Sequence, residues 1–380
     1  MKKVLFMPFL QISSGHHHVA DGLIDELLEI DHTLSCEKID ILSFGFGKIE
    51  GIVSAIYLRW IHLFPSLYSW IYHKSVFDYN KQHKQFHLYE RLFSYWMTKI
   101  IELKKPDLII CTHALPSYVL NQLKGRKKQS IPVINVYTDY FINQIWGIES
   151  IDYHFVPSQE LKEYLINRGV KSDRILVTGI PIHPQLRREA SKPKKRKKYS
   201  LLISGGNQGA GLIKSFVKKL KPSGNIHYTV LCGKNKKLYR FINEMKNPMI
   251  KPMSYISSRE EMNQLYHNAD AIITKPGGVT ISECLTKRIP IFIYHALPGQ
   301  EEINLRYLKN SGLVFHLNHW NTMSHIEDSI LTILDSEQHQ SLYKEKLNTY
   351  HQQLSKQEVS NLILEILANH RTNQFVQVSN

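Results

Sequence analysis

The sequence predicts an α/β protein built from two domains, each a parallel sheet covered by helices on both faces. Three observations carry that expectation. Short, continuous apolar runs rich in Val, Ile and Leu recur along the chain, the signature of strands buried on both faces. Amphipathic stretches of helical period separate them. The alternation breaks once, at Ser191-Lys192-Pro193-Lys194-Lys195-Arg196-Lys197-Lys198, which carries six basic residues and no apolar one, and then restarts. A length of 380 residues suits two domains of ordinary size, and 43% hydrophobic against 21% charged residues is enough to bury two cores.

The first run, Val4-Leu5-Phe6-Met7, ends at Pro8 and is too short for the apolar region of a signal peptide, so it is expected to be a first strand. Val19, Leu23, Ile24, Leu27 and Leu28 then fall at helical spacing. Residues 107–113, 131–137, 153–157 and 175–179 read as further strands, and 158–168 as a helix carrying Leu161, Tyr164 and Leu165. Past the basic linker, 199–204 is a strand, Gly205-Gly206-Asn207-Gln208-Gly209 a glycine-rich turn and 212–220 a helix. Residues 228–233, 271–274 and 289–294 complete the second sheet. A polar helical stretch, roughly 337–369, cannot form a core alone and is expected to pack back across the domains.

Composition narrows the function. Lys and Arg number 48 against 33 Asp and Glu, a net charge of +15, which attracts polyanions: nucleic acid, anionic lipid or phosphorylated ligands. No nucleic-acid motif with interleaved stacking aromatics is present, so nucleic acid is not an expected partner. The four cysteines, Cys36, Cys111, Cys232 and Cys284, lack metal-ligand spacing and read as buried thiols. No uninterrupted apolar run of 18 residues occurs. The segment 52–72 is rich in Trp, Tyr and large aliphatics, but Arg59, His62 and Pro65 make it a poor spanning helix. It suits a headgroup boundary or a buried aromatic helix pair.

Three polar clusters fall at strand ends, where open α/β sheets bind ligands. Gly15-His16-His17-His18 opens the first helix; helix-start amides attract anions, and His16 titrates in the range of a general base. Thr274-Lys275-Pro276-Gly277-Gly278-Val279-Thr280 turns from a strand into a helix whose exposed amides suit a diphosphate, with Glu283 about one turn further on, as acids lie near ribose hydroxyls in nucleotide folds. Pro298-Gly299-Gln300-Glu301 and Asn304 follow the next strand and can bracket sugar hydroxyls or cap a helix.

Together with Gly205-Gly206, Thr138-Asp139, Trp146 and Thr178-Gly179-Ile180-Pro181-Ile182, these motifs resemble the monogalactosyldiacylglycerol synthase and processive diacylglycerol glucosyltransferase family, glycosyltransferase family 28, over nearly the whole chain. The resemblance implies a GT-B fold, two Rossmann-like domains facing across a cleft. It implies an N-terminal acceptor-binding, membrane-associating domain over 1–188, a C-terminal nucleotide-sugar domain over 199–345 and a helical tail over 346–380. It further implies inverting, metal-independent transfer of a hexose from UDP-glucose or UDP-galactose to a lipid acceptor such as diacylglycerol. Contact with an anionic membrane surface, on the cytoplasmic face of the cell membrane, is a separate expectation from the aromatic segment 52–72 and its basic neighbours. No cofactor is implied beyond the UDP-sugar donor, and the donor region lacks an Asp-x-Asp pair.

By position, His16 and Asp139 are the implied acceptor-activating pair. Gly15, Gly205, Gly206, Thr274, Pro276, Gly277, Gly278 and Thr280 line the implied donor loops. Tyr255 and Ile256 would hold the uracil, Glu283 the ribose, and Gln300, Glu301 and Asn304 the sugar side. Three positions depart from the family pattern: Ser13 for a glycine, Asn143 for a histidine and His183 for an arginine. A soluble acceptor, or a non-catalytic UDP-sugar sensor, are the alternatives these residues leave open.

Overall fold

The computed structural model describes residues 1–9, 15–46, 87–187, 198–206, 209 and 212–378. The aromatic segment 52–72, Ser13 and most of the basic linker (188–197) lie outside the described residues. The chain divides into two compact units, Met1–His183 with Gln353–Asn380, and Pro184–Gln352.

The first unit is a six-stranded, all-parallel sheet in the order β2-β1-β3-β4-β5-β6. Its elements are β1 (Lys3–Met7), α1 (Gly15–Ile30), β2 (Ser35–Lys38), α2 (Ile41–Phe46), α3 (His87–Lys104), β3 (Leu108–Cys111), α4 (Ala114–Gly125), β4 (Val133–Val136), β5 (Tyr153–Val156), α5 (Gln159–Asn167) and β6 (Ile175–Val177). The central strands β3 and β4 are buried along their whole length, which is why they read as uninterrupted apolar runs. Strand order reverses between β1 and β3, so the loops leaving these two strands diverge to opposite faces and open a crevice at their carboxyl ends.

The second unit repeats the plan with the order β12-β11-β10-β7-β8-β9, again all parallel. It runs α6 (Pro184–Arg187), β7 (Tyr199–Ser204), α7 (Ile213–Lys219), β8 (Ile226–Leu231), α8 (Lys236–Glu244), β9 (Ile250–Met253), α9 (Arg259–Asn268), β10 (Ala271–Thr274), α10 (Gly278–Thr286), β11 (Ile291–Ile293), α11 (Gln300–Asn310), β12 (Phe315–His316), α12 (Ile326–Leu334) and α13 (Glu337–Gln353). Phe216, Tyr228 and Phe292 are fully buried in its core. Burying such side chains contributes about 1.5–3 kcal/mol each, an upper estimate against an extended chain. The reversal here lies between β7 and β10.

The last helix, α14 (Val359–Val378), returns to the first unit, where Ile363 and Leu367 are buried and Ser355 N–H donates to the Val177 carbonyl at 2.7 Å. The two units meet in the chain at 183/184, and His183, the last residue of the first stretch, has its Nε2 2.9 Å from Asp25 Oδ2 on α1. The stretch expected to be a separate tail, 346–380, is split between the two units, at 352/353.

Every strand expected from the sequence is present. Three further strands, β2, β9 and β12, carry no such signal: Ser-Cys-Glu-Lys, Ile-Lys-Pro-Met and Phe-His. All three lie at sheet edges, where one side has no neighbouring strand and a continuous apolar run is not required. Pro252 is tolerated in β9 for the same reason.

Candidate functional site

Each unit gathers the polar residues of its motifs at the carboxyl edge of its own sheet. In the first unit, His16 stands in the first turn of α1, beside the residues that leave β3 and β4. His16 Nδ1 lies 2.7 Å from the Thr112 carbonyl oxygen and 2.8 Å from Thr138 Oγ1. A carbonyl only accepts, so Nδ1 carries the proton and the lone pair of the neutral ring resides on Nε2. Burial lowers the His16 pKa from its ordinary value, against the opposing pull of the Asp139 charge and the Thr112 carbonyl, so the ring is neutral at neutral pH. Asp139, partly exposed in the loop after β4, thus sits close enough to favour the imidazolium if His16 takes up a proton.

The ring of His16 meets that of His113 edge-on, 4.8 Å between centroids. His113 Nδ1 accepts the Leu115 N–H at the start of α4, and burial holds its pKa well below the usual histidine range. The arrangement is a neutral, oriented imidazole beside a carboxylate, which is the chemistry of a general base. Of the positions that depart from the family pattern, Asn143 forms a local turn, its Oδ1 accepting the Ile145 N–H at 3.0 Å.

In the second unit, Gly205 and Gly206 follow β7, and Thr274 ends β10 with Lys275, Pro276 and Gly277 leading to Gly278 at the start of α10; β7 and β10 are the two strands flanking the reversal. Gly206 has φ of +74°, so the turn itself calls for glycine. Gly277 does not: its φ is −76°, and a Cβ there would meet nothing within 4 Å. The absent side chain leaves open space at the N-cap of α10. That helix begins without a side-chain cap and without an acid in its first turn. Its first amides are therefore available to an anion, with the positive end of the helix dipole behind them. Thr274, Pro276 and Gly278 are buried, and Thr280 is partly exposed.

Three expected ligand residues are already engaged. Glu283 is 9% exposed, and its Oε2 accepts the Tyr266 hydroxyl at 2.7 Å. Burial raises its pKa, while the Tyr266 hydrogen bond and the Arg259 charge act the other way. Glu301 receives Lys275 Nζ at 2.7 Å on Oε1 and the Leu297 N–H at 2.7 Å on Oε2, so its carboxylate ties the loop after β11 to the turn after β10. Asn304, expected beside the donor, is 1% exposed and donates to the Pro276 carbonyl at 3.1 Å; it braces that turn from below. Gln300, at the first turn of α11, is partly exposed. Tyr255, 39% exposed, follows β9 with Lys234 Nζ 5.2 Å from its ring centroid, and Ile256 beside it is partly exposed.

Sequence reasoning missed Tyr266 and Arg259. Both lie on α9, and nothing in their spacing from Glu283 signals the contact. Among the described residues, no group of three or more His, Cys, Asp or Glu side chains is placed to hold a metal ion.

Comparison with known proteins agrees with both halves. Residues 16–182 match the monogalactosyldiacylglycerol (MGDG) synthase model, and residues 200–365 the glycosyltransferase family 28 C-terminal domain. A Bacillus subtilis (strain 168) protein, the uncharacterized glycosyltransferase YkoN, is 44% identical over 97% of this chain and 98% of its own. A processive diacylglycerol beta-glucosyltransferase of Bacillus pumilus (strain SAFR-032) is 28% identical over 98% of this chain and 97% of its own. Among solved structures, Acinetobacter baumannii MurG aligns with a TM-score of 0.59 at 14% identity, covering 97% of this chain and 100% of that one. The calicheamicin glycosyltransferase CalG4 aligns with a TM-score of 0.60 at 12% identity, covering 93% and 95%.

The paired parallel sheets are those of the GT-B class of sugar transferases. Within that class the chain belongs to glycosyltransferase family 28, as a relative of the diacylglycerol glucosyltransferases, and is a glycosyltransferase.

Proposed function

We propose that this enzyme transfers a hexose from UDP-glucose or UDP-galactose to the hydroxyl of a lipid acceptor such as diacylglycerol, inverting the anomeric centre and using no metal. The observation that carries the donor side is the start of α10: uncapped amides, an open position at Gly277 and a nearby buried acid form a site for a diphosphate joined to a diol. UDP is favoured because two structures of the same fold, Staphylococcus aureus MnaA and Neisseria meningitidis UDP-GlcNAc 2-epimerase, are complexes with UDP and with UDP-GlcNAc. The lipid acceptor is favoured by the names of the diacylglycerol glucosyltransferase relatives.

In this reading His16 Nε2 takes the proton of the acceptor hydroxyl, and Asp139 stabilises the imidazolium that results. The acceptor oxygen attacks the anomeric carbon from the face opposite the diphosphate. Charge on the departing UDP is spread over the amides of Gly277 and Gly278 and the dipole of α10. Glu283 binds the ribose, Tyr255 and Ile256 the uracil and Gln300 the sugar, while Glu301 and Asn304 hold the loops in register. The excess of 15 positive charges draws the enzyme to an anionic membrane surface, as a peripheral protein of the cytoplasmic face.

The test is mass spectrometry of products after the protein is incubated with each UDP-hexose and vesicles containing diacylglycerol. Hexosyl-diacylglycerol formed together with UDP is the expected result. Sugar transfer confined to water-soluble acceptors, or UDP binding without turnover on any acceptor, overturns the proposal.

A further inference from the structure

One buried contact of the second unit bears on how the donor is held. Glu283 faces α9, the helix that leads into β10, and that helix brings two groups to it: the Tyr266 hydroxyl at 2.7 Å and the charge of Arg259. Tyr266 is 2% exposed, and burial beside Glu283 pushes its phenol well above the usual tyrosine range. It therefore stays protonated, and its hydroxyl hydrogen is committed to Oε2. A carboxylate can serve both hydroxyls of a diol only as an ionised acceptor; once protonated, one oxygen becomes a donor. Burial opposes ionisation here, and the two groups on α9 act against it in favour of the carboxylate. The hydrogen bond also restrains the Glu283 side chain, whose Oε2 must stay within reach of the Tyr266 hydroxyl. Cys284, next to Glu283 on α10, is also buried beside it; its thiol is raised well above its ordinary range and stays neutral.

We propose that Tyr266 is a positioning residue for the donor: its hydroxyl sets the orientation and the charge of the Glu283 carboxylate, and through it the affinity for the ribose diol. This rests on the reading of Glu283 as the ribose acid.

The experiment is calorimetric titration of UDP into the full chain, from mildly acidic to mildly alkaline pH, for wild type, Tyr266→Phe, Glu283→Gln and the double variant. Tyr266→Phe is expected to weaken UDP binding roughly 3- to 10-fold at neutral pH, the loss of one hydrogen bond. The defect grows as the pH falls, because a carboxyl without its donor is protonated earlier. Glu283→Gln binds weakly at every pH, and the double variant binds no more weakly than Glu283→Gln alone.

Effects that add in the double variant, or a Tyr266→Phe defect that is the same at every pH, overturn the inference and leave the ribose role of Glu283 standing. Wild-type affinity in Glu283→Gln overturns the ribose role itself. Should Tyr266→Phe not fold, Arg259→Gln tests the same control of charge and is expected to show the same loss of affinity toward acid; a flat profile overturns the inference.

Discussion

His16 shows how much one side chain depends on its backbone surroundings. The Thr112 carbonyl at 2.7 Å places the ring proton on Nδ1, and burial keeps the ring neutral in spite of Asp139. We expect His16→Ala to lower turnover about 100- to 10,000-fold, the usual contribution of a general base, with the KM for the donor nearly unchanged. Steady-state kinetics with varied UDP-sugar checks this; loss of donor affinity instead would move His16 out of the acceptor role. The histidine was legible in the sequence from its place at a helix start after a strand. Its tautomer was not, because the acceptor that decides it lies 96 residues away.

At the scale of elements, junctions between strands and helices carry both binding and stability. The turn after β10 has little local support: Gly277 and Gly278 contribute no side chains, and α10 has no side-chain cap. Asn304 on α11 supplies the support through the Pro276 carbonyl, as Glu301 does through Lys275 and Leu297. Asn304→Ala leaves a buried carbonyl without that donor, and we expect a loss of about 1–3 kcal/mol in unfolding free energy together with weaker UDP binding. Denaturant titration and calorimetry measure the two; unchanged values for both would show that the turn stands without its brace. Helix ends also account for part of the positive charge. Lys105, Lys127, Lys246 and Arg288 take up left-handed conformations just beyond the ends of α3, α4, α8 and α10, where glycine is commoner. A cation there complements the negative end of the helix dipole, which offsets some of the backbone strain.

For the molecule as a whole, stability against acid follows from what is buried. His154 on β5 is 0% exposed, its Nδ1 lies 2.9 Å from the Tyr137 hydroxyl, and burial pulls its pKa from 6.5 down to about 3. The unfolded chain therefore binds this proton at a higher pH than the folded one. The resulting stability is complete above pH 6.5 and is lost as the pH falls from there toward 3, by up to about 1.4 kcal/mol per pH unit. Urea unfolding of the first unit at several pH values should show that slope in the wild type and a shallower one in His154→Gln. Equal slopes in both would contradict the assignment.

The sequence by itself determined the α/β class, the two parallel sheets, the central strands and the family. These rest on local apolar periodicity and on glycine-rich turns, which a short stretch of chain encodes alone. Edge strands were not legible, because a strand with one open side needs no apolar run. Only the tertiary structure decided that His183 and the final helix join the first unit, that Glu301 and Asn304 hold loops, and that Tyr266 meets Glu283. Each rests on at least one partner well separated in the chain, as Lys275 is from Glu301 and Tyr266 from Glu283, and a buried polar group is satisfied by whichever partner the fold brings within hydrogen-bond reach.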